Sequence, residues 1–193
     1  MARISKDPEI RKQEILDAAM TVFVRKGYEE TSMADIAREL NVVQGLCYRY
    51  FKSKQVLYQV AMEQYVKESC EEFIETIHDK SMSIQERLDK IGWLMLSKDE
   101  RSRYHEFYHK HENEEMHEQL TLKMCNYLLP HIRQELHELN HKGEIDLEET
   151  DMIAEFIVYG QIKNLSGSNT ENLDQRMGQM RKILSTLLGI KKV

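Results

Sequence analysis

The sequence predicts an all-α fold of about nine helices. Proline, which interrupts helices, occurs only twice in 193 residues. Residues that favour helices, such as Ala, Leu, Glu, Lys, Gln and Met, are abundant, whereas Val and Thr are sparse. Apolar residues make up 41% and charged residues 31% of the chain, which is typical of a globular protein with a buried core.

The first helix is expected over residues 8–26, where apolar residues recur every three or four positions and therefore share one helix face. Gly27 follows as a C-terminal cap. The residues of this apolar face are Ile15, Ala19, Val22 and Phe23.

A short second helix is expected to end at about Leu40. Thr31 and Ser32 are candidate N-caps, and Asp35, three residues after Ser32, can return a hydrogen bond to the cap. Asn41 follows, and asparagine tolerates the left-handed backbone that a tight turn requires.

A third helix must start near Val43 and stop before Ser53, which can cap a fourth. Two short helices joined by a tight turn and braced by a longer helix form a helix-turn-helix arrangement. We expect its small core to consist of Met33, Ile36, Ala37, Leu40, Val42 and Cys47, and its outward residues to be Gln44, Gly45, Leu46, Tyr48 and Arg49.

Longer amphipathic patterns fill the rest of the chain. Pro130 is expected to kink or break one of these helices, and Asp146 with Glu149 is expected to cap the next. The expected ranges are 53–78, 83–97, 100–116, 118–142, 147–165 and 172–189.

Charge is distributed unevenly along the chain. Up to Lys54, ten Lys and Arg stand against eight Asp and Glu, a balance of +2, whereas the remainder has 17 against 25, or −8. Because a duplex is dense in phosphate, this asymmetry indicates a head that binds a polyanion on an acidic body. We therefore expect a DNA-binding domain at residues 1–54 and a second domain at residues 55–193.

The amino terminus lacks the apolar core of a signal peptide, and no segment reaches the length of a membrane span. Cys47, Cys70 and Cys125 are an odd, scattered set that suggests no disulfide framework and fits a reducing compartment. We expect a cytoplasmic protein that does not contact the membrane.

The run from Thr31 to Tyr58, TSMADIARELNVVQGLCYRYFKSKQVLY, resembles the DNA-binding region of the TetR family of bacterial transcriptional regulators. The preceding FVRKGYEE matches the end of the family's first helix, and a glycine two residues into the third helix, the aromatic exit at residues 48–51 and the Lys-Ser-Lys start of the fourth helix also match. The resemblance implies a repressor that binds a palindromic double-stranded DNA operator as a homodimer and is released by a small apolar effector.

Within this region we expect phosphate contacts from Ser32, Lys52 and Lys54, and the resemblance adds Tyr48. Gln44 and Arg49 have donors suited to adenine and guanine, although Arg49 also has the alternative of pairing with an acidic neighbour. Tyr50 and Phe51 are expected in the core. The remaining expected DNA-binding residues are Val43, Gly45, which permits close backbone approach, and Leu46, which suits a thymine methyl group.

Two further sites are expected in the second domain. Aromatic and methionine residues suit an adaptable apolar pocket, and two apolar stripes near the carboxyl end suit a dimer interface that places two recognition helices roughly 34 Å apart. The alternative is that these side chains belong to the protomer's own core. The pocket residues are Trp93, Tyr104, Tyr108, Met124, Tyr127, Phe156 and Tyr159, and the interface residues are Ile153, Phe156, Ile157, Gly160, Leu173, Met177, Met180, Leu184 and Leu187.

Other functions remain open at this stage. Val43 and Leu46 replace small hydroxyl residues that are common in the family, so one alternative is a dimeric small-molecule or metal-binding protein with weakened DNA affinity. His105 with His109, and His137 with His141, have a spacing that chelates metals, so a His/Glu metal hydrolase is a further alternative. We expect neither an enzyme nor a cofactor, because the sequence contains no phosphate-binding loop, nucleophile elbow or zinc-protease motif.

Overall fold

A computed structural model describes residues 7–96, 114–160 and 173–190. These residues form eight α-helices and no strand, which confirms the all-α prediction. The expected helix at residues 100–116 lies almost entirely outside the described residues. The helices are α1 (Pro8–Lys26), α2 (Met33–Glu39), α3 (Gln44–Tyr50), α4 (Lys54–His78), α5 (Ile84–Leu96), α6 (Glu114–His141), α7 (Thr150–Tyr159) and α8 (Leu173–Leu187).

The chain divides into two compact units, and the division falls after Tyr65, inside α4. Among the described residues, the first unit is 7–65 and the second is 66–96, 114–160 and 173–190. The expected domains, residues 1–54 and 55–193, stay a prediction.

The first unit is built on the apolar face of α1. The four residues predicted for that face are all buried. Their partners come from the other three helices, because each helix turns one apolar stripe toward the same centre. These partners are Met33, Ile36, Ala37, Cys47, Leu57, Ala61 and Met62.

The ends of α1 and α2 are defined by local hydrogen bonds. The Asp7 side chain accepts from the backbone N–H of Glu9 at 2.8 Å and starts α1. Gly27 ends α1 with a positive φ of 84°, and its N–H donates to the Phe23 carbonyl. The predicted cap at Gly27 is therefore confirmed, since glycine adopts this backbone conformation without a steric penalty.

The second unit contains a compact cluster around α6 and α7. Its members come from both helices, from the turn between them and from the residue that follows α8, so these four segments share one core. The buried members are Leu136, Leu139, Ile145, Leu147, Ala154, Ile157 and Leu188.

Pro130 does not break α6, which continues from Glu114 to His141, so of the two expected outcomes the break is excluded and the kink stays a prediction. Proline removes one N–H from the helix ladder and leaves the carbonyl four residues earlier without that partner. Both Pro130 and Asn126, the residue of that carbonyl, are exposed. Water can therefore hydrate the carbonyl.

The expected start of α7 also needs correction. The helix begins at Thr150, three residues later than predicted, and its N-cap residue Glu149 makes no side-chain cap hydrogen bond. The connection is held instead by Asn140, whose side-chain amide donates to the Leu147 carbonyl and whose side-chain oxygen accepts from the Leu147 N–H, both at 2.9 Å. A side chain on α6 therefore determines where the turn ends.

All three cysteines are free thiols and buried, which agrees with the expectation of no disulfide. Within the described residues, no helix is both long enough and apolar enough to cross a membrane.

Candidate DNA-binding interface

The third helix, α3, presents a polar and aromatic face to solvent. Val43, at its N-cap, is 76% exposed and Tyr48 is 48% exposed. Gln44, Gly45 and Arg49 are exposed as well. The outward orientation predicted for Gln44, Gly45, Tyr48 and Arg49 is therefore found in the structure.

The opposite face of α3 attaches the helix to the first unit. Cys47 is fully buried and Phe51, the C-cap residue, is 1% exposed. The N–H of Phe51 donates to the Cys47 carbonyl at 2.9 Å. Leu46 and Tyr50 are half-buried, so Leu46 faces outward less than predicted and Tyr50 contributes less to the core.

The helix before it, α2, starts with the predicted capping box. The Ser32 hydroxyl accepts from the Asp35 N–H at 3.2 Å, and the Asp35 carboxylate accepts from the Ser32 N–H at 3.0 Å. Lys26 and Arg38 also lie within 3.1 Å of that carboxylate. Hydrogen bonds from Ser32, with further contributions from Lys26, hold the pKa of Asp35 well below its usual range. Asp35 therefore stays ionised and keeps α2 aligned with the end of α1.

A second ion pair joins the same two helices at the other end of α2. The Arg25 guanidinium lies 2.7 Å from the Glu39 carboxylate. Arg25 and Lys26 are consecutive, so the last turn of α1 contacts both ends of α2. This arrangement fixes the orientation of α2, although each exposed pair alone contributes little stability.

The turn between α2 and α3 depends on Asn41, which has a positive φ of 53°. The N–H of Asn41 donates to the Arg38 carbonyl at 3.0 Å, and the N–H of Val42 donates to the Ala37 carbonyl at 2.9 Å. This pair of bonds is a Schellman motif, which closes a helix with one left-handed residue. The predicted left-handed Asn41 is confirmed.

The four residues expected to contact phosphate lie in different environments. Ser32, Tyr48 and Lys52 are exposed, and the Ser32 hydroxyl also donates to Asp35 at 2.6 Å. Lys54 is half-buried, and its ammonium donates to the backbone carbonyls of Tyr28 at 2.6 Å and Glu29 at 3.1 Å. The DNA contacts of these residues stay predictions.

Arg49 and Lys52 are the cations closest in sequence to the exposed face of α3. Across residues 7–96, 114–160 and 173–190, neither side chain forms an ion pair or hydrogen bond. The alternative that Arg49 pairs with an acidic neighbour is therefore not found there. The guanidinium of Arg49 and the ammonium of Lys52 are both available to bind a polyanion.

The described residues that were expected to line a ligand pocket differ in their exposure, and the pocket itself stays a prediction. Trp93 and Phe156 lie at the surface, 60% and 66% exposed, which argues against their role as pocket walls within one protomer. Met124 and Tyr159 are half-buried, and the Tyr159 hydroxyl donates to the Asn126 side-chain oxygen at 2.5 Å. The other expected members are Tyr127, which is 37% exposed, and Tyr104 and Tyr108, which lie outside the described residues.

The expected dimer interface divides into an inner and an outer set. Ile157 and Met180 are buried within the protomer, and Ile153 and Leu184 are half-buried and pack against the core cluster. These four therefore contribute to the protomer's own core, and their place in a dimer interface stays a prediction. In the outer set, Phe156 and Gly160 are exposed and Leu187 is 36% exposed, while the side chains of Leu173 and Met177 lie outside the described part.

Sequence analysis missed two exposed apolar residues beside the outer set. Met152 is 67% exposed and lies one turn before Phe156, and Ile183 is 57% exposed and lies one turn before Leu187. Their spacing of four residues was the signal for this outer stripe, since residues i and i+4 share a helix face. Met152, Phe156, Ile183 and Leu187 are called the outer stripe below.

The histidines that the structure describes form no metal cluster. Among the described residues, no three His, Cys, Asp or Glu side chains are grouped so that they could hold a metal ion. His137 lies on the surface with its Nε2 2.8 Å from the Asp151 carboxylate. The expected pair of His105 and His109 lies outside the described residues.

Comparison with known proteins places the first unit in a known class. Residues 15–61 match the family model described as bacterial regulatory proteins, tetR family. The chain is 33% identical over 92 residues to the HTH-type transcriptional regulator YfiR of Bacillus subtilis (strain 168), a match covering 46% of this chain and 45% of that protein. It is 38% identical over 52 residues to IcaR of Staphylococcus aureus (strain Newman), the HTH-type negative transcriptional regulator of the biofilm operon icaADBC, covering 27% and 28%. The matches thus span less than half the length of these relatives.

Similarity to solved structures extends over nearly the whole chain. Salmonella enterica GusR superposes with a TM-score of 0.67 at 20% identity, covering 96% of this chain and 98% of that one. FadR from Bacillus subtilis, solved in complex with stearoyl-CoA, superposes with a TM-score of 0.63 at 20% identity, covering 91% and 98%. At this level of identity the similarity shows a shared fold.

Proposed function

We propose that this chain, which belongs to the TetR family of bacterial transcriptional regulators, represses transcription by binding a palindromic DNA operator as a homodimer. A small apolar effector releases it from the operator. The protein acts in the cytoplasm, on double-stranded DNA, and does not catalyse a reaction.

The observation that carries this proposal is the two-faced character of α3. Cys47 and Phe51 anchor one side of the helix, while Gln44, Tyr48 and Arg49 point into solvent. A rigidly held helix with exposed donors suits insertion into a major groove, where arginine and glutamine distinguish bases by their hydrogen-bonding edges.

Repression and the effector class draw support from the relatives. IcaR is a negative regulator, and FadR was solved with stearoyl-CoA, a ligand with a long apolar chain. The second unit of this chain offers half-buried Met124 and Tyr159, and flexible sulfur-containing and aromatic side chains adapt well to apolar ligands. Release requires an effector that binds the operator-incompetent dimer more tightly than the competent one.

Dimerisation draws support from the outer stripe. Four large apolar side chains on α7 and α8 remain at the surface of the single chain, and exposed apolar patches frequently mark protein interfaces. A two-fold dimer doubles the number of base pairs that are recognised, and its half-sites lie about one turn of DNA apart.

Footprinting of the purified protein on the DNA upstream of its own gene tests the proposal. We expect a protected palindrome. We also expect Arg49→Ala and Gln44→Ala each to weaken the free energy of operator binding by about 1–3 kcal/mol and to relax the preference for particular bases. Lys67→Ala is the matched control, because Lys67 is an exposed cation of the second unit and its loss leaves protection unchanged.

Two results would redirect the proposal. Footprints that are identical in wild type, Arg49→Ala and Gln44→Ala would remove α3 from the interface. Absence of salt-dependent affinity for any duplex would instead favour a dimeric binding protein, the alternative suggested by Val43, whose side chain offers no hydrogen bond at the N-cap of α3.

A further inference from the structure

Lys54 joins the two ends of the helix-turn-helix segment. It is the first residue of α4, and its Nζ donates to the Tyr28 carbonyl at 2.6 Å and to the Glu29 carbonyl at 3.1 Å. Tyr28 and Glu29 lie in the connection between α1 and α2, 26 and 25 residues before Lys54 in the chain. The residues between these two points comprise α2, the Asn41 turn and α3, so one ammonium group closes the whole segment into a loop.

The acceptor end of this closure is itself well ordered by hydrogen bonds. The Tyr28 carbonyl also accepts from the Thr31 N–H at 3.2 Å, and the Thr31 hydroxyl donates to the Gly27 carbonyl at 2.7 Å. Thr31 is buried. Lys54 therefore bonds to a fixed turn, and both lone pairs of the Tyr28 oxygen are used.

The side chain of Tyr28 strengthens the same contact. The Lys54 ammonium lies 4.3 Å from the centre of the Tyr28 ring, within the range of a cation–π interaction. The ring of Tyr58, one turn further along α4, also packs against the Tyr28 ring, with 4.9 Å between the two ring centroids. The first two turns of α4 thus contact both the backbone and the ring of Tyr28.

We propose that Lys54 is a positioning residue, which closes the helix-turn-helix segment on itself and holds α3 in its docking orientation instead of gripping a DNA phosphate. Two of its three N–H donors are already committed to carbonyls of the protein. Lys52 differs, because it is exposed and free of ion pairs and hydrogen bonds within the described ranges. The docking part of this inference rests on the proposed function, whereas the closure itself does not.

The closure is tested without DNA by hydrogen exchange. Lys54→Met keeps the apolar stem but removes the charge and the donors, and Lys52→Met makes the same change two residues away. We expect the α3 amides, including that of Phe51, to exchange about tenfold faster in Lys54→Met, since hydrogen bonds from charged donors contribute more than neutral ones. Lys52→Met should exchange like wild type. Equal exchange in Lys54→Met and wild type would overturn the closure.

The positioning role is tested by DNA affinity at a temperature where circular dichroism shows every variant folded. We expect Lys54→Met to lower affinity for the footprinted duplex about tenfold, or about 1.4 kcal/mol. Lys52→Met should reduce the slope of log affinity against log salt concentration by about 1. The slope of Lys54→Met should change less than that. Lys54→Arg, which keeps the charge, several donors and stacking on the tyrosine ring, should restore both exchange and affinity.

Three outcomes would overturn the positioning role: a Lys54→Met salt slope reduced as much as that of Lys52→Met, unchanged affinity in Lys54→Met, or faster α3 exchange in Lys54→Met that leaves affinity untouched. If the wild-type protein binds no duplex, the proposed function fails, and the exchange experiment still decides whether Lys54 closes the segment.

Discussion

Arg87 and Glu135 form a buried ion pair in the second unit. The guanidinium Nη1 lies 2.6 Å from the carboxylate Oε1, with 8% and 7% of the two side chains exposed. The same Nη1 donates to the carbonyl of Ile77, in the last turn of α4, at 2.7 Å. Lys80 contacts the second carboxylate oxygen. The pair therefore joins α4, α5 and α6.

Removing one partner of this pair should destabilise the protein strongly. We expect Arg87→Met to lower the free energy of unfolding by about 3 kcal/mol, because Glu135 would lose its buried partner and keep only Lys80, whose side chain is 43% exposed. The double change Arg87→Met with Glu135→Leu should recover much of this loss. Urea denaturation followed by circular dichroism measures both. Arg181→Met, which removes an exposed pair with Asp89, is the control and should cost at most about 1 kcal/mol.

Acidification should weaken the fold through His131. Its Nδ1 lies 3.1 Å from Nε2 of His78, and the ring also faces Tyr127, while Glu135 lies 3.5 Å from the other nitrogen of His78. Burial, together with the nearby His78, lowers the pKa of His131. The folded state therefore favours the neutral ring, so this stability is fully present above the ordinary histidine pKa of about 6.5 and is lost as pH falls through the lowered value.

The test is the pH dependence of unfolding. We expect the wild-type free energy of unfolding to fall between pH 7 and pH 5 and His131→Gln to show a shallower fall. His117, whose pKa burial also lowers, contributes in the same direction, so the His131→Gln curve should flatten only in part. An NMR titration that assigned His131 its ordinary pKa would contradict this explanation.

Glycine at position 45 should be needed for DNA and not for the fold. A Cβ built on Gly45 meets no described atom within 4 Å, and the residue lies inside a helix. We expect Gly45→Ala to raise the free energy of unfolding by about 0.5–1 kcal/mol, since alanine is the better helix former. The same change should lower operator affinity, because the added methyl group keeps the backbone away from the groove. In Gly45→Ala the melting temperature should therefore rise, while the operator affinity measured by gel-shift titration should fall.

A charge placed in the outer stripe should dissociate the proposed dimer. We expect Phe156→Glu to weaken association by about 2 kcal/mol or more if this aromatic residue is an anchor of the interface, with helix content unchanged. Light scattering across a range of protein concentrations measures the shift toward monomer. Ile10→Glu is the control, because Ile10 is 58% exposed on α1. Equal association in both variants would show that the outer stripe lies outside the dimer interface.

Local chemistry explains what the sequence predicted well. The Ser32–Asp35 capping box spans four residues and the left-handed Asn41 is a single-residue property, so neither depends on distant packing. The outward face of α3 likewise follows from helical spacing and the buried Cys47.

The features that sequence analysis missed depend on contacts between distant residues. The bonds of Lys54 cross 26 residues, and the Arg87–Glu135 pair crosses 48, so no local pattern indicates either. Periodicity identified α7 and α8 as amphipathic, but it could not say which of two adjacent stripes faces the protomer's own core. Ile157 and Leu184 pack toward the protomer's core, and the outer-stripe residues Phe156 and Ile183 each come one position before them.

The buried thiols of this protein can report when the fold opens, because an alkylating reagent reacts with them only then. Burial raises the pKa of all three, that of Cys70 to about 12, so reactive thiolate is scarce while the fold is closed. Cys47 belongs to the first unit, whereas Cys70 and Cys125 belong to the second. Brief pulses of an alkylating reagent, followed by peptide mass mapping, would therefore time the opening of each unit separately, without any introduced label.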